Sequence, residues 1–127
     1  MSNIGEIALQ MIFIRDQLKF YHWAGTDLYS RHVASDGLVN SLTEKLDNFI
    51  ETMQGSENRK LILPKKSMVF TVESDGSIVK LLQNFKSWLS NTLPKYLNTS
   101  SSNTDLLNIR DDILGEVNKT LYLFTLS

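Results

Sequence analysis

Ile4, Ile7, Met11, Ile14, Leu18 and Tyr21 recur at intervals of three and four residues, the spacing that lines one face of an α-helix with apolar side chains. Three further stripes follow. Leu28, Val39, Leu42, Leu46, Ile50 and Met53 form the second, and Ile78, Leu82, Phe85, Leu89 and Tyr96 the third. Leu106, Ile109 or Arg110, Ile113, Val117, Leu121 and Phe124 form the fourth. Four such faces in 127 residues must share one core, because a chain of this length is too short for two. The pattern predicts an all-α fold, a single helical domain over residues 1–127.

Punctuation sets the expected connections. Ser2 or Asn3 can cap a first helix that runs to about Gly25. Gly25-Thr26-Asp27 is a short break, with Thr26 or Asp27 capping a second helix that stops near Gln54-Gly55. So short a link makes the first two helices antiparallel neighbours. The irregular stretch from Gly55 to Gly76 holds Pro64, Lys65-Lys66, a β-prone run at 68–72 and a Ser74-Asp-Gly-Ser turn. Some twenty extended residues reach about 65 Å, whereas the second helix is about 40 Å long. The stretch is therefore long enough to cross the whole bundle between helices 2 and 3; a small hairpin is the competing local arrangement. Pro94 kinks or ends the third helix, and Asn103 or Thr104 caps the fourth. Gly115, inside the fourth, is expected to mark a close helix contact.

Several function classes fall away. Thirteen basic and fourteen acidic residues leave a net charge of −1, which gives no strong nucleic-acid signal. With no cysteine there are no disulfides and no thiolate metal sites. No run approaches the length of a membrane span, and no basic segment followed by an apolar one marks a secretory signal. Without such a signal the sequons at Asn98 and Asn118 are chance matches. The expected location is the cytoplasm.

The chemistry concentrates between Phe20 and Glu51. Both histidines lie there, His22 and His32, with Asp36, Asp47 and Glu51. His32 and Asp36 are four residues apart, as are Asp47 and Glu51, so each pair shares a helix face. All four fall along the edge of the second apolar stripe. Eleven residues of helix rise about 16 Å, so one ion cannot touch both pairs on one helix. The pairs are, however, symmetric about the point between residues 41 and 42. Two copies of the helix, antiparallel about a two-fold there, would set His32 beside Glu51 of the other copy and Asp36 beside its Asp47. Each resulting site mixes nitrogen and oxygen donors, a set suited to iron, zinc or manganese. The expected partner is thus a second copy, as a homodimer or a larger homo-oligomer.

These residues resemble a known family. His-Trp near the end of a first helix, then His-x3-Asp, then Asp-x3-Glu eleven residues after the first Asp, is similar to the Dps-type mini-ferritins. The resemblance implies a ferritin-like four-helix bundle with one long crossover between helices 2 and 3. It also implies a di-iron site across a subunit interface, with His22, His32, Asp36, Asp47 and Glu51 as metal ligands and ferroxidase activity as its chemistry. The two histidines are about two residues closer here than in that family, so the turn between the first two helices must be tighter. The chain also resembles an uncharacterised ferritin-like family of large DNA viruses and tailed phages. That likeness rests on Leu18 through His22-Trp23, Arg31-His32, Gly55 and the run from Asp105 to Gly115, continuing through Leu121-Tyr122-Leu123. It covers most of the chain, brings no established activity, and implies a host cytoplasm or virion location.

The residues also admit a plainer account. His32 and Asp36 make an ordinary i,i+4 ion pair, Asp47 and Glu51 a solvated face, and His22 a core-edge histidine. No Glu-x-x-His motif is present, so a self-contained di-iron bundle is excluded: a di-metal site is shared between subunits or absent. Two functions follow. One is an iron-binding mini-ferritin-like protein with an inter-subunit site. The other is a non-catalytic structural or interaction protein of viral origin on the same bundle. Trp23 and Trp88 are expected to be packing residues.

Overall fold

Helix α1 spans Ile4–Phe20 and buries the first stripe, from Ile4 through Ile7, Met11 and Ile14 to Leu18. The computed structural model describes residues 3–127, so the expected cap at Ser2 lies outside them. Asn3 is the N-cap residue but makes no side-chain capping bond. The helix then widens: Tyr21–Gly25 continues it as a π-helical turn, which leads through Thr26 and Asp27 into the second helix. A π turn closes larger hydrogen-bonded rings and absorbs a residue without breaking the helix. That is how the tight first connection is made.

Helix α2 spans Tyr29–Glu57, with Leu28 as its N-cap. The structure corrects the sequence reading at both ends. Neither Thr26 nor Asp27 caps the helix; the Thr26 hydroxyl instead accepts a bond from the Leu28 N–H. Gly55 does not stop it, because a Cβ there would meet nothing, so an exposed glycine costs too little to end a packed helix. The stop falls at Asn58, whose φ of 51° is left-handed. Leu28 is exposed rather than part of the buried stripe, and Leu38 and Phe49 are core residues instead.

Residues 58–74 form the long connection, without helix, strand or hairpin among the described residues. The Ser74 turn is the start of helix α3, Asp75–Ser87. Ser74 accepts the Ser77 N–H while Ser77 Oγ accepts the Ser74 N–H, a reciprocal cap worth about 1 kcal/mol. After α3 the chain again passes through a π turn, Trp88–Thr92, and then a 3-10 turn, Leu93–Tyr96, in which Pro94 ends the helical run. Helix α4 spans Thr104–Phe124. Asn103 precedes it in a left-handed conformation, φ 56°, with no side-chain capping bond to the helix. A Cβ on Gly115 would meet nothing within 4 Å, so the close helix contact expected there does not exist.

The four α-helices share one apolar core to which each contributes, including Met11, Phe49, Phe85 and Val117. Helix α2 packs along both α1 and α4. The architecture is all-α, and among the described residues no helix is long and apolar enough to cross a membrane. The 58–74 connection lies along α1. A Cβ on Gly5 would collide with the carbonyl oxygen of Ile62, and one on Gly25 with that of Glu73, so glycine is required at both ends of this contact. Between them Phe70 stacks on Phe13 at 5.5 Å between ring centroids and contacts Phe20 at 5.5 Å. Thr71 N–H donates to Gln17 Oε1 at 3.0 Å.

Candidate metal centre

The π turn ends α1 with His22 pointing at α2, where His32 sits in the first turns. The two rings stack nearly parallel, 3.9 Å between centroids and 16° between planes. His22 Nδ1 lies 2.6 Å from the His32 carbonyl oxygen, and His32 Nδ1 lies 2.8 Å from the His22 carbonyl oxygen. A carbonyl only accepts, so in both neutral rings Nδ1 carries the proton. In that tautomer each Nε2 is the acceptor. Ser35, wholly buried, donates from its hydroxyl to the same His32 carbonyl at 3.1 Å and lies 3.5 Å from His22 Nδ1.

Asp36, one turn beyond His32, completes the group. Its Oδ1 lies 3.8 Å from His22 Nε2 and accepts a bond from Lys19 Nζ at 3.0 Å. The Lys19 ammonium holds the Asp36 carboxyl below its ordinary value of 3.8, mainly through that bond, although the side chain is 40% exposed. The nearest partners of Asp36 are therefore Lys19 and His22. The expected i,i+4 pair of His32 with Asp36 is not among the ion pairs of the described residues. Lys19 also lies 5.5 Å over the Trp23 ring, which is 64% exposed and meets Phe20 edge-on. Trp88 packs against Phe85 and Tyr96, as expected, whereas Trp23 is largely a surface side chain.

The structure brings His22, His32 and Asp36 together. It leaves Asp47 and Glu51 apart from them, exposed farther along α2. Among the described residues no three His, Cys, Asp or Glu side chains are placed to hold an ion within one chain. Around the histidines Trp23, Leu28, Tyr29 and Val33 are exposed, and a shallow groove of about 300 Å³ runs past Thr26, Leu28, Tyr29 and His32.

Behind the site lies an anchor that sequence reasoning missed. Tyr21 donates its hydroxyl to Asp75 Oδ1 at 2.7 Å. Arg31 donates to the Asp75 carbonyl at 2.7 Å and the Phe124 carbonyl at 3.3 Å, with its guanidinium 4.7 Å over the Phe124 ring. Burial, then the bond to Asp75, pushes the Tyr21 hydroxyl above its ordinary value, and the Tyr21 and Thr26 hydroxyls hold Asp75 below its own. Lys19 and Ser35 were missed too. Lys19 lies one turn before His22, but nothing local announces its reach across to Asp36.

A family model described as "Family of unknown function (DUF5856)" matches residues 22–124, and the chain belongs to that family. No curated protein and no solved structure matches the chain.

Proposed function

We propose that this DUF5856 chain binds a transition-metal cation, iron foremost, at a His/carboxylate site shared between two copies on a ferritin-like bundle. The reading rests on the reciprocal bonds of the two histidines. Metal-ligating histidines commonly donate one ring N–H to a carbonyl or carboxylate, which fixes the tautomer and aims the other nitrogen at the ion. His22 and His32 both have that arrangement, with Asp36 beside His22. Two imidazoles with one carboxylate are a donor set that suits Fe(II), and Zn(II) or Mn(II) are the competing ions. The remaining ligands would be Asp47 and Glu51 of a second copy, both exposed on α2 and free to be presented to it. Exposed Trp23, Tyr29 and Val33 would supply contact area.

In this reading the histidines present fixed nitrogen donors and Asp36 neutralises charge. Lys19 has to swing away from Asp36 for a cation to enter. Iron held there would supply one-electron chemistry toward oxygen or peroxide, the basis of a ferroxidase.

The Lys19–Asp36 bond favours a second reading, in which the site is satisfied as it stands. The histidine pair and ion pair then only fasten α1 to α2, and the bundle is a non-catalytic structural or interaction protein, viral in origin if the resemblance to viral chains is one of descent. Thermal unfolding separates the two. Under metal binding the protein gains melting temperature with Zn(II), or with Fe(II) under anaerobic conditions, by linkage. Asp36→Asn and Glu51→Gln should each abolish the gain. Equal melting temperatures for the wild type with and without both ions would leave only the structural reading.

A further inference from the structure

Part of the 58–74 connection runs extended along α1 with no sheet to join. From Gly5 to Gly25 the first helical segment rises about 30 Å, and the connection covers that distance between Ile62 and Glu73, roughly 2.7 Å per residue, an extended course somewhat shorter than a regular strand's. One side lies on α1 through Phe70, Thr71 and Lys66, the last paired with Glu6. Among the described residues nothing covers the other side: Val69 is 76% and Val72 57% exposed. Among the described residues, no backbone N–H or C=O of Met68, Val69, Phe70 or Val72 makes a hydrogen bond. Ladder groups alternate along an extended chain. Because the Thr71 N–H turns toward Gln17 on α1, those of Met68, Phe70 and Val72 turn to the open edge.

We propose that this edge pairs antiparallel with the same edge of a second copy, about a two-fold through Val69. The occupant follows from charge. Lys65 and Glu73 each lie four residues from Val69, so this register sets Lys65 of each copy opposite Glu73 of the other, on both sides of the axis. Lys65 has no ion-pair partner among the described residues, and Glu73, whose Oε1 accepts from Gln17 Nε2 at 3.2 Å, keeps Oε2 for that contact. Ser67 then faces Thr71, Met68 faces Phe70, and the free ladder groups of Met68 and Phe70 are used. A one-residue slip would oppose Lys65 to Val72 and lose both ion pairs. Unpaired extended edges are templates for such pairing.

The pairing does not depend on metal, and its centre lies at about the height of residues 41–42 on α2. His22 faces His32 across the α1–α2 turn, so residues 41–42 of α2 lie opposite about residue 12 of α1. Phe13 carries Phe70, which puts Val69 at nearly the same height.

The chain lacks cysteine, so single cysteines report the geometry directly. Two residues on the axis in a non-hydrogen-bonded pair have Cα atoms about 4.5 Å apart, within disulfide reach. Full-length Val69→Cys, at about 20 µM with chelator and diamide as oxidant, should form a disulfide-linked dimer at least about tenfold faster than Ile62→Cys. Ile62 is equally exposed, but at the same rise per residue its two copies would stand about 38 Å apart. In sedimentation equilibrium Lys65→Glu should weaken the dimer about tenfold, and adding Glu73→Lys should recover most of the loss. Equal linkage rates for the two cysteine variants would overturn the proposal, as would a monomeric wild type, which leaves the edge to a different protein. A Lys65→Glu dimer as tight as wild type would overturn the register. The chelator keeps these outcomes separate from the metal question.

Discussion

His22 and His32 exchange hydrogen bonds through the same atoms, each Nδ1 donating to the other's backbone carbonyl, at 2.6 and 2.8 Å. The exchange staples the end of α1 to the start of α2 whether or not an ion is present. His22→Ala and His32→Ala should each cost about 1 kcal/mol in urea unfolding, since each removes one of the two exchanged hydrogen bonds, although the His32 carbonyl keeps the Ser35 hydroxyl. Because both remove the same stacked pair, the double variant should cost less than the two added together. Strict additivity would show that the staple contributes nothing as a unit.

Lys19 should matter in the opposite sense. Its ammonium occupies the space beside Asp36 that a cation would need. Lys19→Met removes that competitor and returns the Asp36 carboxyl toward 3.8. Under the metal reading the Zn(II)-induced rise in melting temperature should be larger in Lys19→Met than in wild type. An unchanged or smaller rise would argue that ions bind elsewhere.

The Tyr21–Asp75 bond predicts a pH dependence at both ends. Asp75 has its folded pKa held below 3.8, so it stabilises the protein above that pH, and the contribution is lost as pH falls through the folded value. Tyr21 has its folded pKa raised above 10.0, so its contribution is present below that pH and lost as pH rises through the raised value. Tyr21→Phe should flatten both arms of the stability profile relative to wild type, and leave part of the acid arm to Asp36 and other carboxylates. Parallel profiles for the two proteins would dismiss the bond as a contributor.

Three glycines should respond differently to alanine. Gly5→Ala and Gly25→Ala drive a Cβ into the carbonyls of Ile62 and Glu73 and should cost about 1–3 kcal/mol each, read by chemical denaturation. Gly115→Ala meets nothing and should stabilise α4 by about 0.5–1 kcal/mol.

The contrast between those glycines shows what the sequence could and could not convey. The apolar stripes were legible because burial imposes the helical period directly on residue type: Ile7, Leu42, Leu82 and Val117 are all fully or nearly fully buried. Helix ends were less so. Gly55 looks like a stop and Asn58 is one, because an exposed glycine costs a long packed helix little. Nothing local shows why Gly5 and Gly25 must be glycine, since what forbids a side chain there is a carbonyl 57 or 48 residues away. At the candidate site, the i,i+4 spacing of His32 and Asp36 was readable. The mutual bonds of His22 and His32, and the Lys19 contact, depend on a π turn whose extra residue no spacing rule anticipates.

Arg31 gives the molecule an order of assembly. The histidine staple spans ten residues, so α1 and α2 can clasp as soon as both have left the ribosome. The carbonyls that Arg31 requires belong to Asp75 and Phe124, made 44 and 93 residues later. Until those carbonyls are made its guanidinium is solvated and cannot tie α2 to the later helices. Arrival of Phe124 lets one side chain lock the starts of α2 and α3 to the end of α4 in a single late step, so the fold closes last at the very corner where its first two helices met.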